Sequence, residues 1–110
     1  MTKLDKETQE KIQELQNYEH TLQNLMMQKQ AFQLELSETE NALSEIADSK
    51  DDVFKIIGNI MVKSDKNKID KELKKKKDLI AIRLKSIESH ESDLLKHSEE
   101  LKNEVMKKIK

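Results

Sequence analysis

This chain has no cysteine, no proline and a single glycine, Gly58, in 110 residues. Without cysteine there is neither a disulfide framework nor a thiolate metal site, which fits a reducing cytoplasm. Without proline, and with its one glycine at position 58, the chain has two long stretches, 3–47 and 65–109, that nothing interrupts as helix. Aromatic residues are almost absent: Tyr18, Phe32 and Phe54 are the whole set. At 39% charged residues, there is too little apolar material for a conventional globular core. No apolar run approaches the roughly 18–20 residues needed to span a bilayer, and Met1–Lys6 is too polar to read as a signal peptide. A soluble, cytoplasmic protein is expected.

What is present is heptad periodicity. In the first stretch one row reads Leu15, Leu22, Lys29, Leu36, Leu43 and the other Tyr18, Leu25, Phe32, Thr39, Ile46. That is a coiled-coil pattern. In the second stretch one row is fully apolar: Leu73, Ile80, Ile87, Leu94, Leu101. Its companion is taken as Ile69, Lys76, Arg83, His90, His97, which leaves only a narrow apolar stripe. Residues 1–47 carry four Lys against nine Asp/Glu, a net of −5, and residues 65–110 carry fourteen Lys/Arg against ten Asp/Glu, a net of +4. Opposite charge favours pairing the two helices with each other over self-pairing.

Laid antiparallel, the rows set Tyr18 against Leu94, Leu25 against Ile87 and Phe32 against Ile80, with Leu43 and Ile69 closing the end near the break. Lys29 against Arg83 is a poor layer in this register. Each arm would extend on the order of 65 Å at the α-helical rise. At the open end the expected seam gives out, Lys11 meeting Leu101 and Leu4 meeting Lys108. Leu4, Ile12, Leu101, Val105, Met106 and Ile109 remain there as apolar residues. They read either as the scattered exposed groups of a frayed end or as an adaptable tip that grips non-native chains.

The break between the helices is itself patterned. Asp48–Asp52 is rich in turn formers, and Val53–Ile57 and Ile60–Lys63 are short β-branched runs around Gly58-Asn59, a two-residue hairpin signal. Ser64 or Asp65 can cap the second helix. One hairpin face carries Val53, Lys55, Ile57, Ile60 and Val62; the other carries Phe54, Ile56, Met61 and Lys63. Two largely apolar faces cannot both be covered by one thin coiled coil, and the strand edges are open. The element should be completed by other subunits.

Catalytic and ligand chemistry finds no foothold. His90 and His97 share a helix face near Glu91 and Asp93, but no third convergent ligand accompanies them. There is no Gly-rich phosphate loop and no isolated carboxylate pair, so no enzyme activity and no cofactor are expected. Lys74–Lys77 is bracketed by acidic residues in a chain of net charge −1, which reads as a solvated face meeting the acidic helix rather than a nucleic-acid surface. Neither helix has the broad apolar and basic faces of a membrane-surface segment.

Val53-Phe54-Lys55-Ile56-Ile57-Gly58-Asn59-Ile60-Met61-Val62-Lys63, set between arms of equal length, resembles the hairpin of the β-type prefoldin subunits, particularly the archaeal form. Leu22-Gln23, Gln28-Lys29-Gln30 and Glu40-Asn41-Ala42-Leu43 are similar to the Gln-rich first helix and its closing turns in that family. Phe54 stands where many members have Tyr, which keeps the apolar role. The resemblance covers essentially the whole chain, and one hairpin rather than two marks the β-type.

It implies a mainly α fold: a single domain over 1–110, with helices at about 3–47 and 65–109 forming a long antiparallel two-helix coiled coil, and a hairpin at about 53–63. The hairpins would join those of other subunits in β-barrels. It also implies a heterohexamer of two α-type and four β-type subunits that captures unfolded clients at the arm tips without ATP and passes them to a group II chaperonin. The oligomerisation element is then Val53, Phe54, Ile56, Ile57, Gly58, Ile60, Met61 and Val62. A coiled-coil spacer that binds one defined helical partner is the alternative from a different class.

Overall fold

In the computed structural model, residues 5–109 are described. They form helix α1 (Lys6–Asp48), strands β1 (Val53–Ile57) and β2 (Ile60–Ser64), and helix α2 (Lys66–Ile109), in that order. Lys3 and Leu4, expected at the start of the first helix, lie outside the described residues, as does Lys110.

Both helices begin on an aspartate. The Thr8 N–H donates to Asp5 Oδ1 at 2.7 Å, and the Asn67 N–H donates to Asp65 Oδ1 at 3.1 Å. Each carboxylate satisfies a backbone donor that the first helical turn leaves without a partner. Of the two caps offered for the second helix, Asp65 takes the role and Ser64 ends β2. α1 has no basic residue in its last turn. Lys66 from α2 supplies the charge, donating from Nζ to the Ser49 carbonyl at 2.9 Å.

The strands pair antiparallel, Val53 with Ser64, Lys55 with Val62 and Ile57 with Ile60, leaving Gly58-Asn59 as a two-residue turn. Gly58 has φ +61° and no non-glycine residue has positive φ. A positive φ at the first central residue alone is the sign pattern of a type II′ turn, which matches the twist of the strands it joins.

The described chain divides into two compact units. In one, residues 5–30 lie beside 85–109, with Leu25, Ile87 and Val105 buried. In the other, residues 31–84 place Ile69 and Ile80 in the core below the hairpin. Within each unit the helices run antiparallel: Lys11 pairs with Glu104 and Lys29 with Glu91 in the first, and Lys76 with Glu35 and Lys77 with Glu40 in the second.

The seam of α2 differs from the expected one. Its shielded positions are Ile69, Leu73, Ile80, Leu84, Ile87, Glu91, Leu94, Ser98, Leu101 and Val105. Leu84, Glu91, Ser98 and Val105 therefore accompany the apolar row, while Lys76, Arg83, His90 and His97 are exposed. The cause is spacing. The partner row lies four residues after Ile80 and repeats by sevens, which keeps one side of the helix inward.

Candidate functional site

The most distinctive surface is the hairpin. Phe54, Ile56, Ile57, Ile60, Met61 and Val62 are 43–69% exposed, and only Val53 among its apolar residues is partly covered. Both faces of the ribbon show apolar side chains, because the alternation of strand residues puts Ile57, Ile60 and Val62 on one side and Phe54, Ile56 and Met61 on the other. Lys55 ties the hairpin to α2, its Nζ lying 3.1 Å from Glu72 Oε2, and Lys63 reaches Asp52 at 3.3 Å. Each strand has one neighbour, so the outer edges of β1 and β2 present unpaired backbone groups. Beneath β1, a groove of about 520 Å³ is lined by Ala42, Ile46, Val53, Phe54, Ile69 and Leu73.

The helices supply a scaffold that does not need the hairpin faces. In the hairpin-proximal unit, Phe32, Leu36, Leu43 and Ile46 are half-buried on α1, as is Leu73 on α2. Thr39, buried on the same α1 stripe, returns its hydroxyl to the Glu35 carbonyl at 2.8 Å and so adds no unsatisfied polar group. Arg83 does not oppose Lys29. Its guanidinium carbon lies 5.9 Å from the centroid of the Phe32 ring, within cation–π range. Lys29 instead meets Glu91 at 3.2 Å.

In the other unit, Leu15, Tyr18, Leu22 and Leu94 are half-buried beside Leu25 and Ile87. The Tyr18 hydroxyl donates to Glu14 at 3.1 Å, and that hydrogen bond raises its pKa above the ordinary phenol value. The seam does not give out where expected. Thr8 on α1 and Val105 on α2 are 1% and 5% exposed, and Ile12 and Leu101 are half-buried. Lys11 bridges Glu104 at 3.1 Å and Glu7 at 3.5 Å, and Lys108 lies 3.8 Å from Asp5. The hydrogen bond that Lys11 donates to Glu104 lifts the Lys11 pKa, and hydrogen bonds from the Thr8 side chain and backbone hold the Asp5 carboxyl below its ordinary value. Of the six tip residues, Met106 and Ile109 are half-exposed and Leu4 lies outside the described residues.

Sequence reasoning did not place Asp5 and Thr8 in the cap, or Leu84, Glu91 and Ser98 in the seam. The Asp5–Thr8 spacing is a legible cap signal, and Leu84 and Val105 stand four residues beyond Ile80 and Leu101. Glu91 and Ser98 carry no apolar signal at all. Among the described residues, no three His, Asp or Glu side chains come together in a way that could hold a metal ion, and no helix is long and apolar enough to cross a membrane.

An exposed apolar ribbon on a self-sufficient helical pair defines a coiled-coil subunit whose distinctive surface is its hairpin. The sequence model described as prefoldin subunit matches residues 9–110. The prefoldin subunit beta of Thermococcus kodakarensis is 34% identical over 112 residues, covering 100% of this chain and 96% of the relative. That of Saccharolobus islandicus strain L.S.2.15 is 34% identical over 111 residues, covering 96% and 88%. The crystal structure of the prefoldin beta subunit from Thermococcus strain KS-1 superimposes with a TM-score of 0.88 at 33% identity, over 97% of this chain and 96% of that one. The chain belongs to the prefoldin subunit family.

Proposed function

We propose that this chain is the β-type subunit of an ATP-independent holdase chaperone, working in the cytoplasm without cofactor or catalysis. The observation that carries the reading is the hairpin: six apolar residues exposed on two faces, with two open edges, in a member of the prefoldin family. Such a ribbon is marginal alone and is stabilised when other strands extend it. Its partners are an α-type subunit and further copies of itself, two α and four β, with their hairpins closed into β-barrels. Unfolded clients bind at the free ends of the helices and pass to a group II chaperonin. Neither nucleic acid nor membrane is part of this function.

Met106 and Ile109 suit the client contact by exposure, Ile12, Leu101 and Val105 join them if the terminal turns open, and Leu4 is assigned there on the sequence pattern. One arm end grips weakly, whereas several on one body grip well through multivalency. The test is reconstitution with an α-type subunit, followed by light scattering and an aggregation assay with several unrelated unfolded proteins. A hexamer that suppresses aggregation of all of them is expected, and removing 1–10 together with 102–110 should leave the hexamer but abolish suppression. Binding to one folded helical partner, with no effect on unfolded chains, would instead identify a spacer.

A further inference from the structure

Most ion pairs among the described residues sit at the solvent edge, but that of Lys29 with Glu91 stands in the seam. Lys29 and Glu91 approach to 3.2 Å with side chains 29% and 17% exposed, and each occupies a heptad row position that is otherwise apolar or small. On α1 the row through Lys29 contains Thr8, Leu15 and Leu22 within the same unit, and on α2 the row through Glu91 contains Ser98 and Val105. Shifting α2 by one heptad towards its C-terminal end would bring Leu84 to the place of Glu91, leaving the Lys29 ammonium without a counter-charge. The same shift would set the Glu91 carboxylate against an apolar or small position of α1. Shielded charges without partners are costly, whereas an apolar row tolerates a seven-residue slip with little loss.

We propose that Lys29 and Glu91 are the register-specifying pair of this coiled coil, selecting one heptad alignment of α1 and α2 over slipped pairings within or between chains. The pair is a positioning device and does not strengthen the seam. Two leucines would pack there more favourably and discriminate less.

The absence of native cysteine makes the full chain a clean background for the test. Lys11→Cys with Glu104→Cys reports the observed alignment, since these two side chains meet at 3.1 Å. Lys11→Cys with His97→Cys reports the alignment displaced by one heptad. A short thiol cross-linker applied to the parent chain should trap the first pair and not the second. Lys29→Leu or Glu91→Leu alone should lower the melting temperature. The double leucine variant should recover it or exceed it, while now trapping both cysteine pairs. The charge exchange Lys29→Glu with Glu91→Lys should restore selective trapping, which a purely steric role would not predict. Selective trapping in the double leucine variant, or failure of the charge exchange to restore it, would overturn the assignment. Unchanged melting in both single variants would do the same.

Discussion

Lys66, in the first turn of α2, places its Nζ 2.9 Å from the carbonyl oxygen of Ser49, one residue past the end of α1. One side chain thus neutralises the negative end of the outgoing helix while standing at the root of the returning one. The hairpin emerges between these two anchored points, so its direction is fixed from both sides.

Lys66→Met keeps the apolar stem and removes that donor. It should destabilise the chain by roughly 1 kcal/mol, the ordinary worth of a partly shielded hydrogen bond. In a domain of this size that is a fall of about 4–8 °C in Tm. A thermal melt followed by circular dichroism checks it, and an unchanged Tm would show that the contact carries no net energy.

At the hairpin tip, Gly58→Ala tests backbone conformation in isolation. The added Cβ would meet nothing within 4 Å, so only the positive φ opposes it. The left-handed region costs a non-glycine residue about 1–2 kcal/mol, and the hairpin should open locally by that amount. Hydrogen exchange at the β1 and β2 amides should accelerate while the helices keep their protection.

Ile57→Asp and Ile60→Asp separate folding from assembly. Both side chains are more than half exposed on the single chain, so its helicity and Tm should change little. In the proposed complex the same charge is buried without a partner, which is strongly unfavourable. Light scattering should then find dissociated subunits, and an intact hexamer would show that this hairpin face is not an interface.

The Asp5 cap predicts an acid-sensitive end. Its carboxyl titrates below the ordinary aspartate value because the Thr8 side chain and backbone donate to the ionised form, with Lys108 and Lys11 adding to the effect. A lowered folded pKa means that the carboxylate contributes stability above the unfolded value and loses it as pH falls through the folded one. Protection factors of the first-turn α1 amides, with the intrinsic pH dependence of exchange divided out, should therefore fall below about pH 4, the ordinary carboxylate range. Asp5→Asn, which cannot titrate, should give a flat profile over the same window.

Why some of this was legible and some was not follows from which residues carry the signal. The α1 stripe can be read because Leu15, Leu22, Leu25, Phe32, Leu36 and Leu43 are apolar at heptad spacing and nothing competes with them. The hairpin can be read because Gly58-Asn59 between β-branched runs leaves few other conformations. The second row of α2 could not be read by apolarity, because Glu91 and Ser98 interrupt it. Ile69, standing four residues before Leu73, suggests a companion row through Lys76, Arg83, His90 and His97, all of which are exposed. Ile69 itself is buried, but below the hairpin rather than as the start of a continuous row. The charge difference between the helices signalled cross-helix ion pairs. Only coordinates could place Lys29 on Glu91 and leave Arg83 to the Phe32 ring.

A ribbon with two free edges is a connector of valence two. A divalent unit has no intrinsic stopping point, since each addition satisfies one edge and presents another. Growth among identical copies ends only when the curvature of the strands brings the first edge round to the last, or when a unit with different edges closes the gap. In the proposed assembly, the twist set at Gly58-Asn59 would act as a counting device: it would bear on how many subunits fit around the closed sheet, and a small change there would alter a stoichiometry before it altered a fold.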